Sequence, residues 1–211
     1  MRDVLHTIGH STHSIEQFVQ LLREQRISAV ADVRSRPYSR MNPQFSRDNL
    51  KVALKVACIA YVSLGNELGA RSDDQSCYID GKVQYERLAH TPLFRSGLTR
   101  LVDGIRSHRI ALMCAEKDPI TCHRMILVCH ELRREPMDIM HIRADGTLES
   151  NADAEKRLIE TNGLSELELF RSSDEIVEEA YQRQGKRIAW VETVNGTANE
   201  FGALADAESP L

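Results

Sequence analysis

The sequence lacks any apolar run near the roughly 20 residues that a membrane-spanning helix needs. It also lacks the apolar segment of a secretion signal near Met1, because a strand-like run begins there at once. These two absences favour a cytoplasmic protein that has no membrane partner.

The five cysteines include no C-x-x-C pair, and their odd number and irregular spacing argue against a disulfide framework or a zinc knuckle. His10, Cys122 and His123 are residue types that bind Zn²⁺ or Fe. Their spacing matches no metal-binding pattern, so we predict no metal site. A G-x-G-x-x-G motif is also missing, which disfavours a dinucleotide, and we predict no cofactor.

An excess of basic charge is missing too. The chain has 27 basic and 31 acidic groups and a net charge of −4, whereas domains that bind duplex nucleic acid usually present a basic surface. A local cluster is nevertheless present, because Arg34, Arg36, Arg40 and Arg47 share one short segment. This cluster keeps a nucleic-acid-binding or regulatory module as an alternative, although nucleic acid is not the favoured partner.

What the chain does contain is a regular alternation of short apolar strands and helical segments. The strands are predicted at residues 4–8, 27–33, 59–62, 110–113 and 138–142. Short buried strands joined by helical crossovers form parallel sheets with helices on both faces. We therefore predict an α/β three-layer sandwich with a mostly parallel five-stranded sheet.

The composition changes near residue 150. Residues 152–187 have a charge-rich helical pattern, and the tail from Asn195 onward is small, polar and acidic. We predict a core domain at residues 1–150 and a helical extension at residues 151–211. The extension offers a surface through which a homo-oligomer can form.

The densest group of reactive side chains lies between the fourth strand and the next helix, from Cys114 to Arg124. In open α/β sheets such a turn borders the crevice that binds ligands. Glu116 lies in the turn, where no core needs it, and is a candidate for acid–base catalysis. Cys122 and His123 are further catalytic candidates, and Arg124 is a substrate-binding candidate. On a helix of 3.6 residues per turn, Cys122 faces the core, Arg124 its flank and His123 the outside.

Two other strand ends carry polar residues. His10 and Ser11 follow the first strand, where His10 is a proton-transfer candidate and the N–H groups after Ser11 can bind an anion. Asp32 and Arg34 end the second strand on one face. They form either an internal ion pair or a site in which Arg34 binds a carboxylate or phosphate. Gly65, after the third strand, indicates a backbone that bends sharply or approaches a ligand.

The chain resembles the bacterial and archaeal family catalogued as domain of unknown function 488. The matching segments are Thr7-Ile-Gly-His-Ser11, Asp32-Val-Arg34, Pro37, Ser39, Phe45, Tyr61, Leu64-Gly65, Ala111-Leu-Met-Cys-Ala-Glu116, Cys122-His-Arg124 and His141-Ile142. The resemblance implies a Rossmann-like α/β fold and no established activity. It also implies that some of these residues form a shared site, namely His10, Ser11, Arg34, Glu116, Cys122, His123 and Arg124.

Our leading hypothesis is an enzyme, such as a hydrolase or transferase, that acts on a small anionic substrate. A nucleotide or another phosphorylated metabolite fits this description. Arg34 and Arg124 would bind the anion, and Glu116 or His10 would transfer a proton.

A cysteine-based sulfur-transfer or redox enzyme is an alternative. Cys114 follows the fourth strand and Cys122 lies near a helix N-terminus, where positive charge stabilises a thiolate. The phosphatase-like pattern of a cysteine, five residues and an arginine is absent, since Ile120 occupies the arginine position. Buried free cysteines mostly behave as small apolar residues, so the structural interpretation of Cys114 is favoured.

Overall fold

The computed structural model describes residues 3–165 and 171–192. Its strands are β1 (Asp3–Gly9), β2 (Ala29–Asp32), β3 (Ala60–Ser63), β4 (Tyr78–Ile79), β5 (Lys82–Val83), β6 (Ile110–Cys114), β7 (Met137–Ile142) and β8 (Leu148–Ser150). Six of them form one sheet in the order β3-β2-β6-β1-β7-β8. All neighbours in this sheet pair in parallel except β7 and β8, which are antiparallel.

The five predicted strands are therefore confirmed, and the predicted strand count is one short. The additional strand, β8, has only three residues and follows the turn at Gly146. A separate two-stranded hairpin joins β4 to β5.

The helices are α1 (Ile15–Glu24), α2 (Arg47–Val56), α3 (Gly65–Leu68), α4 (Tyr85–Ala89), α5 (Pro92–Ile105), α6 (His130–Leu132), α7 (Asn151–Thr161) and α8 (Ser173–Ile188). A π-helix (Arg124–Cys129) runs directly into α6. Local sequence explains two of the starts. Ser14 and Gln17 form a capping box before α1, and Thr91 accepts a hydrogen bond from Phe94 N–H before α5.

Alternation along the strands sends side chains to two buried clusters, one on each face of the sheet. On β6, Leu112 belongs to one cluster and Met113 to the other. Phe18 and Leu50 bring α1 and α2 to the Met113 face, whereas α5, the π-helix, α7 and α8 contribute to the Leu112 face. Helices thus cover both faces, which confirms the mixed α/β three-layer architecture.

The two helices after residue 150 pack into the hydrophobic core on one face of the sheet. Leu158 of α7 and Ile176 and Tyr181 of α8 are buried in the same cluster as β6 residues. Gln184 Nε2 also donates to the Ile120 carbonyl at 2.8 Å. The predicted polar tail from Asn195 onward lies outside the described residues. Within the described ranges, no helix has the length and apolar character that a membrane span requires.

Candidate functional site

The carboxyl ends of three neighbouring strands, β2, β6 and β1, meet at one edge of the sheet. Backbone hydrogen bonds hold the loops there. The N–H of His10 donates to the Cys114 carbonyl at 2.9 Å, and the N–H of Val33 donates to the Met113 carbonyl at 3.0 Å. The chain therefore brings His10, Arg34 and the segment after β6 to the same edge.

Four side chains converge in this segment, and their donor atoms all lie within 4.8 Å of one another. We name Cys114, Glu116, Cys122 and His123 the Cys–Glu–His cluster. Glu116 Oε2 lies 2.9 Å from the Sγ atom of each cysteine. His123 Nδ1 lies 3.6 Å from Cys114 Sγ and 4.0 Å from Cys122 Sγ. Three members are buried, whereas Glu116 is exposed as a residue although its carboxyl tip is buried between the two thiols.

The helix projection that turned His123 outward is wrong. Residues Pro119–Thr121 form a 3-10 helix and Cys122 is extended, with φ −127° and ψ 140°. The π-helix begins only at Arg124. Because an extended residue interrupts the helical period, Cys122, His123 and Arg124 all lie inside and are 1%, 7% and 0% exposed. Such π-helical segments are frequent at functional sites.

Arg124 is a buried cation that supports the loop after β6. Its Nη1 donates to the Glu116 carbonyl at 2.6 Å and its Nη2 to the Lys117 carbonyl at 3.2 Å. Thr7 Oγ1 lies 3.4 Å from its Nε. Among the described residues no carboxylate pairs with this guanidinium. Its donors thus hold the loop, and its charge acts on the cluster beside it.

The pKa values of the two thiols of the cluster are shifted in opposite directions. Burial raises the pKa of Cys114, and contacts with Cys122 and Glu116 raise it further. Burial also opposes ionisation of Cys122. The hydrogen bond from Cys114 and the charges of Arg124 and His123 outweigh that effect and bring the pKa of the Cys122 thiol well below its ordinary value.

The carboxyl and imidazole groups respond to the same surroundings. Burial of the carboxyl tip between the thiols, followed by the charge of Cys122, raises the pKa of Glu116, although the residue as a whole is exposed. Burial works against protonation of His123, but contacts with Cys122 raise its pKa. The arrangement favours a Cys122 thiolate next to a protonated imidazole.

Arg34 and Asp32 form the internal ion pair that was one of the two alternatives. Arg34 Nε and Nη2 donate to the two carboxylate oxygens at 2.9 Å and 2.7 Å, and Nη2 also donates to the Phe45 carbonyl at 2.8 Å. Tyr61 donates a further bond to Asp32 at 2.9 Å. Arg34 Nη1 has no hydrogen-bond partner within residues 3–165 and 171–192. One edge of a rigidly held guanidinium therefore remains for a ligand.

His10 packs beside this ion pair. Its ring stacks on Phe45 with centroids 4.3 Å apart, and its Nδ1 lies 2.9 Å from the Ser11 carbonyl. Burial, together with the charge of Arg34, lowers the pKa of His10 to about 4. The imidazole is therefore neutral at pH 7, and its Nε2 is an acceptor.

Ser11 takes part in closing the loops. Its N–H donates to the Ala115 carbonyl at 2.9 Å, so this group is already occupied, and its backbone has a positive φ of 47°. The side chain is partly exposed at the edge of the site. An anion at this position would have to bind the hydroxyl or later N–H groups.

Sequence reasoning missed Cys114 as a member of the cluster. The sequence suggests His10, Cys122 and His123 as possible metal ligands, whereas the structure joins Cys122 and His123 to Cys114 and Glu116. The available signal was a C-x-E segment and a C-H pair on either side of a short turn that contains Pro119. Such a turn can fold the second pair back onto the first.

A surface depression of about 650 Å³ lies elsewhere, along α8. Charged side chains line it, and some of them pair with one another, as Arg183 pairs with Glu179 at 2.5 Å. None of its lining residues belongs to the cluster. It is best described as a solvated network of ion pairs.

One comparison with known proteins identifies a family. The family model described as "Domain of unknown function DUF488" matches residues 14–130, which is more than half of the chain. The match includes α1, the loop with Arg34 and the whole cluster. No curated protein and no solved structure matches the sequence.

Proposed function

The chain belongs to the family described as domain of unknown function DUF488, and we propose that its strand-end site is the active site of an enzyme. The enzyme is a hydrolase or transferase that acts on a small anionic substrate, such as a nucleotide or another phosphorylated metabolite. One observation carries the proposal: Arg34 is fixed by Asp32 and the Phe45 carbonyl while its Nη1 stays without a partner among the described residues.

Fixed guanidinium groups suit anion recognition, because the ordering of the side chain is completed before the ligand arrives. Arg34 Nη1 binds an oxygen of the substrate. Arg124, whose donors hold the loop, adds positive charge from behind the site. Ser11 contributes at the edge through its hydroxyl group.

Glu116 is the proton-transfer group of this proposal. The residue lies at the protein surface, and burial of its carboxyl tip raises its pKa towards neutrality, where a general acid is most effective. His10 acts as a neutral hydrogen-bond acceptor through Nε2. Its pKa of about 4 makes it a weaker base than an ordinary histidine.

Thermal shift measurements test the proposal. The wild-type protein is heated with phosphate, nucleoside monophosphates and triphosphates, and sugar phosphates. We expect at least one of them to stabilise the protein. Arg34→Lys, which keeps the charge but loses the fork geometry, should lose that stabilisation. Arg47→Lys is the matched control, because Arg47 is an exposed arginine of the same segment. A panel without any stabilising anion, or equal losses in both variants, would contradict the proposal.

A sulfur-transfer or redox enzyme is the second candidate, and the lowered pKa of Cys122 favours it. We place either activity in the cytoplasm, where free thiols stay reduced. Iodoacetamide labelling of chelator-treated protein across a pH series provides the test. Labelling of Cys122 with a midpoint clearly below about 8.5, the ordinary thiol value, supports this candidate. A midpoint at the ordinary value counts against it.

A further inference from the structure

We propose that the Cys–Glu–His cluster binds a divalent transition-metal ion of the zinc class. Its two thiols, imidazole and carboxylate are the donor types that such ions take in proteins. The inference goes beyond the proposed enzyme activity, since a protein without any anionic substrate would still bind the ion.

The spacing of the donor atoms suits a tetrahedral ion. With Zn–S bonds of about 2.3 Å and Zn–N bonds of about 2.05 Å, neighbouring sulfur and nitrogen ligands lie about 3.6 Å apart. The two observed Sγ–Nδ1 distances are 3.6 and 4.0 Å. The imidazole nitrogen therefore needs little movement relative to either sulfur to share an ion with it, and the two sulfurs lie within 4.8 Å of each other.

The carboxylate needs a larger adjustment. A sulfur–oxygen edge of the same tetrahedron measures about 3.6 Å, whereas both observed distances from Glu116 Oε2 to sulfur are 2.9 Å. The carboxylate must retreat to admit the ion. It can do so because Glu116 is the one member of the cluster whose residue is exposed.

The imidazole is already oriented as a ligand. His123 Nε2 lies 3.0 Å from the Val33 carbonyl oxygen, which accepts a hydrogen bond and therefore fixes the proton on Nε2. Nδ1 is left to point at the two sulfurs. A second hydrogen bond of this kind, from the far ring nitrogen to a carbonyl or carboxylate, accompanies nearly every histidine that binds a metal.

The charges of the site also balance around a divalent ion. Two thiolates and one carboxylate carry three negative charges, and the ion neutralises two of them. Arg124, which is fully buried, neutralises the third. Within the described part of the chain no carboxylate pairs with Arg124, so thiolates are the anions that offset its burial cost. Because both cysteines bind the ion as thiolates, binding releases protons.

The two proposals share Glu116, which transfers a proton in the ion-free protein and is a ligand when the ion is bound. The three buried donors hold the ion from the inside, and Glu116, the exposed residue of the set, completes the ligand set from the other side. The anionic substrate would approach from the same side. A metal-binding measurement without any substrate present distinguishes the two, because it responds to the cluster alone.

Metal content and cobalt absorption test the inference on the full chain. The protein is purified without a histidine tag from zinc-supplemented medium, and its metal content is measured. It is then stripped with a chelator and titrated with Co²⁺. We expect about one ion per chain, a thiolate-to-cobalt charge-transfer band, and loss of that band when Zn²⁺ is added. Binding in unbuffered solution should release protons.

Two cysteine variants separate a ligand role from a folding role. Cys122→Ser should weaken Co²⁺ binding by more than about 100-fold and should reduce the charge-transfer band, since only the Cys114 thiolate remains. Cys129→Ala is the matched control, because Cys129 is as deeply buried as Cys122 and lies outside the ligand set, beyond His123 in the sequence. It should bind Co²⁺ as the wild type does. Equal spectra for the two variants overturn the inference.

Alkylation of the wild-type protein decides the matter even where Cys122→Ser does not fold. Zn²⁺ should slow iodoacetamide labelling of Cys114 and Cys122 at least tenfold, and mass spectrometry locates each label. Cys58, which is exposed, should react at the same rate with and without the ion. Absence of bound metal together with unchanged labelling of all three cysteines means that the cluster is only a hydrogen-bonded thiol pair.

Discussion

Arg124 combines full burial with hydrogen bonds to backbone carbonyl groups, and both properties depend on its forked shape. Lysine keeps the positive charge but cannot donate to the carbonyls of Glu116 and Lys117 from one rigid plane. Charged hydrogen bonds of this kind contribute about 1.5 to 3 kcal/mol each. We therefore expect Arg124→Lys to lower the free energy of unfolding by about 3 kcal/mol in urea.

A control for this variant exists at the protein surface. Arg106 is exposed, and its ion pair with Asp103 joins two solvated side chains. Surface pairs contribute little, so Arg106→Lys should leave the urea midpoint nearly unchanged. Equal midpoints for the two variants would show that the carbonyl contacts of Arg124 contribute nothing to stability.

His141 is a fully buried histidine of β7 that the fold keeps neutral. Its Nδ1 lies 2.8 Å from Thr7 Oγ1, and its Nε2 lies 3.2 Å from Asn151 Oδ1. Burial, followed by the charge of Arg124, lowers the pKa of His141 to about 3. In the unfolded chain the pKa returns to about 6.5.

The direction of the pH effect follows from these two values. Between pH 6.5 and 3 the unfolded chain binds the proton more readily than the folded protein does, so stability falls as the pH decreases. From pH 7 to pH 5 the contribution of His141 falls by about 2 kcal/mol. His123 and His130, whose pKa values are raised, act in the opposite direction.

A variant isolates the contribution of His141 from these opposing groups. His141→Asn keeps an acceptor near Thr7 and cannot take up the proton. Between pH 7 and pH 5, the free energy of unfolding of the variant should decrease by about 2 kcal/mol less than that of the wild type. Urea unfolding at both pH values gives the difference. Parallel pH dependences would contradict the neutral, buried state of His141.

Strand β1 ends at a glycine because the loop after β6 passes directly over it. A Cβ atom at residue 9 would overlap the carbonyl oxygen of Glu116 and approach Arg124 Nη1. Gly9→Ala must therefore displace the loop that carries Glu116. We expect a loss of about 2 to 3 kcal/mol in urea unfolding, as for other overpacked positions. The same substitution should also change labelling of Cys122.

Gly185 in α8 is the matched control for this substitution. A Cβ there meets Tyr85 Cδ2 at 3.4 Å, an ordinary contact, and alanine favours helices over glycine. Gly185→Ala should stabilise the protein by about 0.5 to 1 kcal/mol. If Gly9→Ala were as stable as Gly185→Ala, the close approach of the loop would have no energetic consequence.

The central elements could be predicted because each carries its own local pattern. The apolar runs of β1 and β6 need no distant information, and Ser14 and Thr91 mark helix starts through bonds to nearby N–H groups. Strand β8 was missed, because three residues are too few for a periodic pattern. Gly65 lies against the Arg34 carbonyl, so a neighbouring backbone segment, and not a ligand, explains why no side chain fits there.

The site could be predicted only in part, and for a physical reason. Parallel strands share one carboxyl edge, so the sequence indicated that His10 and Arg34 would meet there. The orientation of His123 depends on a single extended residue, Cys122, which a helical projection cannot anticipate. The role of Cys114 depends on how the turn after β6 folds back, and that information lies in contacts between distant residues.

Charge across the molecule bears on the nucleic-acid alternative, which stays a prediction. Of the clustered arginines, Arg34 is paired with Asp32 inside the protein, whereas Arg36, Arg40 and Arg47 are exposed. The net charge of −4 repels the phosphate backbone of a nucleic acid, which these three arginines attract. Any binding should therefore be weak. It should be lost as the salt concentration rises from about 50 to about 200 mM, because salt weakens contacts with phosphate groups.

The helices after residue 150 share the hydrophobic core on one face of the sheet. Their removal should therefore unfold the protein and should not leave a shorter folded domain. Leu158 and Ile176 are 0% exposed and pack in the same cluster as Leu112 of β6. A chain that ends at residue 150 would expose that face to water, and we expect it to aggregate and bind a hydrophobic dye.

A chain that ends at residue 192 keeps every described contact and should retain the wild-type melting temperature. Light scattering on both also reports any oligomer. A monomeric, cooperatively folded 1–150 chain would instead show that the extension is dispensable for folding.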